Sequence, residues 1–360
     1  HTPLEIADVE VAPPAPGELK VRIAASGVCH SDLSVQNGTL PLAPPIVLGH
    51  EGAGIVEQIG DGVDGFAPGD RVVISWVPQC GECAMCSRAQ GFLCDRAAAT
   101  MGGTLLDGTT RVTRDGQPVF QFPSSGTFAE VAVVPAIAAV KIPDEVPLTS
   151  AALIGCAVLT GVGAAVNTAS IRKGDAVAVI GCGGVGLNVV QGARIAGAER
   201  IVAVDTAALK LELARRFGAT DVVNASSDDA VAAVTELTGG RCVDVAFEVI
   251  GLEATMQQAL ALTRRGGETV LVGVPRVDAM LSVPAALGLV LAAKTIKGCL
   301  YGSANVHRDI PMLVGLYRSG RLLLDELVSR TIPLDDVNGA FVAMEQGEVA
   351  RSVIDFGVVS

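Results

Sequence analysis

The chain runs to 360 residues with 26 basic against 38 acidic side chains, a formal charge of −12. That length accommodates two domains of ordinary size, each with its own core. The acidic balance, with no lysine or arginine cluster to offset it, argues against nucleic acid as a partner. The lack of a membrane-length apolar stretch or a charged leader argues against a membrane and for a cytoplasmic protein.

From the start to about Ala157, short alternating or β-branched runs broken by Gly and Pro, such as Leu19 to Ile23 and Gly69 to Ile74, predict an irregular, largely antiparallel β region. It holds two isolated reactive groups, Cys29 in Gly27-Val28-Cys29-His30-Ser31-Asp32 and His50 in Gly49-His50-Glu51-Gly52. Taken singly, such a cysteine is usually a small hydrophobe and such a histidine a satisfied polar group.

Cys80, Cys83, Cys86 and Cys94 then crowd into one short lobe, about residues 78–96. Thiolates at this spacing can close a tetrahedron around zinc, and a site with four protein sulfurs has no open position, so it is structural. A four-iron cluster uses a similar run, but its usual fourth cysteine follows after three residues and precedes a proline, whereas Cys94 follows Cys86 after seven and precedes Asp95. Two disulfides suit a secreted chain better than this one.

Between about Val158 and Leu300, apolar strands alternate with Ala/Leu-rich amphipathic stretches, at Ala176 to Ile180, Ile201 to Val204, Val243 to Phe247 and Thr269 to Val272. That alternation predicts βαβ units around a parallel sheet. The first of these strands runs into Gly181-Cys182-Gly183-Gly184-Val185-Gly186 and then a helix; glycines there permit a tight turn and close approach of a pyrophosphate to the backbone. The second ends in Asp205, where a carboxylate can bind both hydroxyls of an adenosine ribose and repel the extra phosphate of NADP, which favours NAD. After Tyr301 come a predicted helix at Asp309 to Ser319, a strand at Val328 to Ile332, a helix through Met344 and a closing strand at Ser352 to Phe356. The tail has the texture of the first region, as if a nucleotide-type domain were inserted between two halves of a β-rich one. His1 and His307 read as solvated, Cys242 and Cys299 as buried strand-end thiols, and Cys182 as a variable slot in the glycine turn.

Together the motifs GVCHSD, GHEGAG, the four-cysteine lobe, GCAVLTGVGA, GCGGVG, Asp205, LVGVP and the terminal RSVIDF identify a resemblance over nearly the whole chain. The sequence resembles a zinc-dependent alcohol dehydrogenase of the medium-chain dehydrogenase/reductase superfamily. The resemblance implies an α/β protein: a Rossmann doubly wound parallel sheet binding NAD at 158–300, and a β-rich GroES-like catalytic domain at 1–157 and 301–360 that carries the structural zinc lobe. It implies two zinc ions per chain. Cys29, His50 and Cys156 would hold the catalytic one, with Glu51 behind it as an occasional ligand; two cysteines and a histidine are the alcohol dehydrogenase set. Such a metal keeps an open position, where it polarises a carbonyl or stabilises an alkoxide while hydride passes to the nicotinamide. Asp32 would hold the ligand histidine in its metal-binding tautomer, and Ser31 would take the alcohol proton.

By the same resemblance Gly181, Gly183, Gly184, Val185, Gly186, Asp205, Lys210, Thr160, Val272, His30 and Arg351 would contact the cofactor, Arg351 and His30 near the pyrophosphate. Leu40 and Trp76 would line the substrate pocket, the indole favouring unbranched or flat alcohols. Many relatives continue the proton relay to a histidine at the position of Ser34, so this chain is expected to show weaker or shifted pH dependence near neutrality. Relatives also begin with a further strand ahead of Pro3-Leu4-Glu5-Ile6.

The segment Leu105 to Arg111 is most similar to bacterial members that oxidise aliphatic, allylic or aromatic primary alcohols. A thiol-adduct formaldehyde dehydrogenase and a nicotinoprotein using an external acceptor share the inner motifs and stay open. So does a silent, metal-stabilised NAD-binding scaffold, against which all the open-site residues are retained. Thr295 to Tyr301 resembles an edge strand that pairs across a dimer, so a homodimer is expected, with a tetramer as the lesser possibility.

Overall fold

The computed structural model describes residues 2–358 and forms two compact units, one built from residues up to Ala157 together with those from Asn305 onward, the other from Val158–Ala304. His1 lies outside the described residues.

In the first unit the alternation Leu19-Lys20-Val21-Arg22-Ile23 becomes part of a long strand, Glu18–Gly27, with Leu19, Val21 and Ile23 wholly buried. Period-two patterning points those three side chains inward and Arg22 to solvent. This strand organises a seven-stranded sheet. It pairs antiparallel with Glu51–Ile59 along its length, with Val131–Pro135 at its start and with Arg351–Asp355 at its end. Val56, Val72, Ile74, Ala132 and Val134 complete the core on that face, each aliphatic side chain contributing on the order of 1.5–3 kcal/mol by leaving water. A smaller four-stranded sheet joins Glu10–Val11, Val112–Arg114, Gln117–Gln121 and Ile46–Val47. Its hairpin turns at Asp115-Gly116, both with positive φ, as a two-residue turn with the twist of the flanking strands requires.

The second unit is a six-stranded parallel sheet in the order Asp221–Asn224, Arg200–Asp205, Ala176–Ile180, Val243–Glu248, Thr263–Leu271, Thr295–Gly298. Helices Gly184–Ala196, Ala208–Phe217, Ala230–Leu237 and Glu253–Leu262 connect the strands. Near-continuous burial of Val177 to Ile180, Ile201 to Val204 and Val245 to Phe247 reflects cover on both faces. The order outward from Ala176–Ile180 is that of the doubly wound Rossmann sheet, with its reversal between that strand and Val243–Glu248. Cys182 and Cys299 are buried as expected, but Cys242 is half-buried, since it occupies a positive-φ turn (63°) just ahead of its strand. Among the described residues no single helix is long and apolar enough to cross a membrane.

Gly181 bends the chain at φ 94°, and a Cβ on Gly186 would stand 1.8 Å from the Gly181 carbonyl oxygen. Gly186→Ala is therefore expected to push the helix off the turn at a cost of roughly 1–3 kcal/mol, lowering the thermal midpoint; an unchanged midpoint would show that the turn can give way freely.

Candidate active site

The register pair Gly27–Glu51 determines what meets what. Strand Glu18–Gly27 delivers Cys29 just beyond its end, and the partner strand begins at Glu51 immediately after His50. A Cβ on Gly27 would lie 2.2 Å from Glu51 Oε2, so glycine leaves that carboxyl its seat. Cys156 follows the turn Leu153–Gly155, where a Cβ on Gly155 would press to 2.5 Å on the Ile74 carbonyl. The result is a buried cluster in which the ligand atoms of Cys29, His50, Glu51 and Cys156 all lie within 4.8 Å of one another.

Two polar atoms in it, His50 Nε2 and Glu51 Oε2, have no hydrogen-bond partner. Buried polar atoms are rarely left so. The other ring nitrogen, His50 Nδ1, sits 3.1 Å from Asp32 Oδ1, which also accepts the Gly49 N–H at 2.9 Å, while Asp32 Oδ2 accepts the Cys29 N–H at 3.2 Å. One carboxylate thus binds both the Cys29 and the His50 segments and leaves Nε2 facing the thiols. Phe122 stacks on the imidazole at 4.3 Å, closing its other side. Arg351, assigned to the pyrophosphate by resemblance, is 4% exposed: its Nη1 donates to the Val28 carbonyl at 3.2 Å, and its Nη2 lies 3.2 Å from Glu51 Oε1 and 3.6 Å from Cys29 Sγ.

The electrostatics follow from this crowding. The Cys156 thiol as hydrogen-bond partner, and then the Arg351 charge, hold Cys29 well below the ordinary thiol range despite burial. Cys156 is pushed well up, because it shares its proton with Cys29 and is itself buried. Burial pushes Glu51 up to about 8, with Arg351 pulling the other way. Burial opposes a charge on His50, but the neighbouring Asp32 and Cys29 outweigh it and raise the ring.

The four-cysteine lobe is a second cluster. Four sulfurs at about 2.3 Å from one ion would stand roughly 3.8 Å apart; the Cys80–Cys94, Cys83–Cys94 and Cys80–Cys86 sulfurs are separated by 3.6, 3.9 and 4.0 Å. Disulfide sulfurs would be about 2.0 Å apart, and all nine cysteines are free. The N–H groups of Cys80, Cys83 and Cys86 donate to sulfurs of the set. That of Cys86 leads in drawing Cys83 down to about 7.

In the second unit the glycine turn meets Asp205, whose Oδ2 accepts the Cys182 N–H at 2.8 Å and whose Oδ1 accepts the Ala207 N–H at 3.0 Å. A Cβ on Gly183 would meet nothing within 4 Å. Gly184, Val185 and Gly186 form the first turn of the helix, Lys210 lies half-buried in helix Ala208–Phe217, Thr160 half-buried in Ala157–Gly163, and Val272 is buried just past strand Thr263–Leu271. In the first unit Ser31 Oγ lies 3.9 Å from Cys29 Sγ, and His30 is exposed at the start of helix His30–Gln36. Trp76 packs half-buried against the cluster of Val28, Leu48 and Phe122, and Leu40 is half-buried after the same helix. Sequence reasoning passed over Phe122, and no local pattern marks it.

The alcohol dehydrogenase GroES-like domain family matches residues 15–144, and the zinc-binding dehydrogenase family matches residues 184–317. The NDMA-dependent alcohol dehydrogenase of Amycolatopsis methanolica is 40% identical over 354 residues, 98% of this chain and 95% of that protein. The crystal structure of benzyl alcohol dehydrogenase from Acinetobacter calcoaceticus superposes with a TM-score of 0.92 at 32% identity, covering 98% of this chain and 96% of that one. A Sinorhizobium meliloti protein whose crystal structure holds NADP superposes with a TM-score of 0.77 at 29% identity, covering 96% and 94%. The chain belongs to the zinc-binding alcohol dehydrogenases of the medium-chain dehydrogenase/reductase superfamily. It is an alcohol oxidoreductase.

Asp32→Asn is expected to lower the affinity of the buried cluster for zinc about 10–100-fold and leave the lobe unchanged, as measured by chelator competition. Filling the cluster must expel the protons held by Cys156 and His50, so affinity is expected to fall by roughly tenfold per proton for each pH unit of acidification. An affinity flat between pH 6 and 7 would contradict those proton positions.

Proposed function

We propose that the chain interconverts primary alcohols and aldehydes by hydride transfer to and from NAD, with one zinc ion in each cysteine cluster. The observation that carries this reading is the buried set of two thiols and one imidazole whose Nε2 has no partner, with Asp32 on the opposite ring nitrogen. When bound, zinc supplies the Lewis acid that lowers the alcohol's pKa, and the nicotinamide accepts the hydride.

The chain's own groups do the rest. Asp32 orients His50, and Arg351 offsets the negative charge of the sulfurs and of Glu51, which stands as an occasional ligand. Ser31 takes the alcohol proton, and with Ser34 in place of a relay histidine that proton goes directly to solvent or to another base. Leu40 and Trp76 shape the pocket, the flat indole favouring unbranched or aromatic alcohols. Gly183, with no neighbour to reject a side chain, is accounted for by a pyrophosphate lying against it. Gly181, Gly184, Val185 and Gly186 complete that cradle, and Thr160, Val272, Lys210 and His30 flank the rest of the dinucleotide. Asp205 carries a charge that disfavours the phosphate of NADP. The lobe sulfurs of Cys80, Cys83, Cys86 and Cys94 brace the first unit.

The name of the Amycolatopsis relative favours a second reading, in which the nicotinamide stays bound and electrons leave to an external acceptor. As its partner we infer a second copy of the chain. Strand Thr295–Gly298 is a sheet edge, and Val277, Met280, Leu287 and Val290 beside it in sequence are each 70% exposed or more.

Metal analysis is expected to find two zinc ions per chain, falling to one in Cys29→Ala with loss of turnover; one ion unaffected by that change would favour a silent scaffold. Asp205→Gly should weaken NAD binding. Ethanol, longer alkanols, benzyl and allylic alcohols should turn over with added NAD, and turnover without it, with an artificial acceptor, would establish the second reading. Leu287→Glu with Val290→Glu is expected to sediment as a monomer, whereas an unchanged size would remove that face from the interface.

A further inference from the structure

Glu248 ends strand Val243–Glu248, stands in register with Ile180, and is completely buried. Those two strands flank the reversal in sheet order, outside which open α/β sheets bind their ligands. Oε1 of Glu248 accepts three hydrogen bonds, from the N–H of Ile250 at 2.9 Å, the N–H of Gly251 at 2.7 Å and the Thr255 hydroxyl at 2.7 Å. Oε2 is buried without a partner. The Glu248 carbonyl accepts the N–H groups of Val272 at 2.8 Å and Gly273 at 3.1 Å.

The surrounding loops touch backbone to backbone. Val249 N–H donates to the Ile180 carbonyl at 2.9 Å, and a Cβ on Gly181 would meet Ile250 Cγ1 at 2.6 Å. On the other side, a Cβ on Gly251 would meet the Val274 carbonyl at 2.5 Å, and one on Gly273 would meet the Gly251 nitrogen at 2.2 Å. The glycine turn therefore packs on the Ile250 side chain, while residues 249–251 and 272–275 meet backbone to backbone with no side chain between them to absorb a shift. Glu248 holds residues 249–251 by its carboxylate and residues 272–273 by its carbonyl. A stand-in for the missing cap on helix Glu253–Leu262, whose N-cap Leu252 offers no side-chain acceptor, would explain the bond to Thr255. It would not explain the unused oxygen; the carbonyl bonds to Val272 and Gly273 continue the parallel ladder with Thr263–Leu271 and need no glutamate.

We propose that Glu248 is a positioning residue for the dinucleotide, fixing the height of residues 249–251 between the glycine turn and residues 272–275. This rests on the nicotinamide reading above. The test is a fluorescence titration with NADH of the wild type, Glu248→Ala, Glu248→Gln and Thr255→Val, each checked for fold by circular dichroism and for zinc content. Leaving the buried Gly251 N–H and the partly buried Ile250 N–H unpaired should weaken NADH binding about tenfold in Glu248→Ala, and losing one hydroxyl donor about threefold in Thr255→Val. Glu248→Gln should restore near wild-type binding, because its amide oxygen accepts the same donors. Hydrogen exchange at Ile250 and Gly251 should accelerate in Glu248→Ala alone. Wild-type affinity in a folded Glu248→Ala overturns the proposal, as does wild-type affinity in Thr255→Val should Glu248→Ala not fold, or a Glu248→Gln as weak as Glu248→Ala. Absence of NADH binding by the wild type would overturn the cofactor reading along with it.

Discussion

Two thiols, an imidazole and a carboxyl gathered in a dry interior are the constraint to which the first unit is built. Uncompensated, each charged form would cost several kcal/mol to bury, and the surroundings of Cys29, His50, Glu51 and Cys156 answer group by group. Arg351 faces Glu51 and Cys29, Asp32 faces His50, and the missing side chain of Gly27 makes room for the Glu51 carboxyl. These contacts join strands from opposite ends of the chain, with Val353 beside Gly27 and Gly27 beside Glu51. The long central strand is thus both the core of the sheet and the rail on which these side chains are aligned.

The second unit solves a different problem by different means. It holds backbone, not side chains, at the carboxyl ends of its strands. Asp205 and Glu248 each end a strand and each accept backbone N–H groups from the loop that follows or adjoins it. Glycines at 181, 251 and 273 let those loops stack. Acceptors on rigid strands and donors in loops produce a surface whose shape is set by main-chain geometry.

Much of this was readable in the chain. Ala176–Ile180 and Val328–Ile332 match their expected spans because each is an apolar or β-branched run with clear punctuation. The first helix after Tyr301 begins at Val306, ahead of the expected Asp309, because Asn305 caps it by accepting the Arg308 N–H. The Asp115-Gly116 hairpin carried a plain local signal and was passed over. The parallel sheet and the fold class follow from alternation, whereas the gathering of Cys29, His50 and Cys156 was legible only through family likeness, since spacing says nothing about residues brought together by strand pairing. Phe122 against His50 and Arg351 against Glu51 have the same origin: they are properties of register, whereas the bonds to the Glu248 carboxylate are local to the turn that follows it.

The two cysteine clusters differ in how far they are withdrawn from solvent. Cys29 and Cys156 are buried, while Cys80, Cys83 and Cys86 are only partly covered and Cys94 alone of its set is enclosed. Peroxide reacts with exposed, thiolate-like sulfur first. Ageing in air would then strike Cys80, Cys83 and Cys86 of the outlying lobe while Cys29 and Cys156 are still reduced.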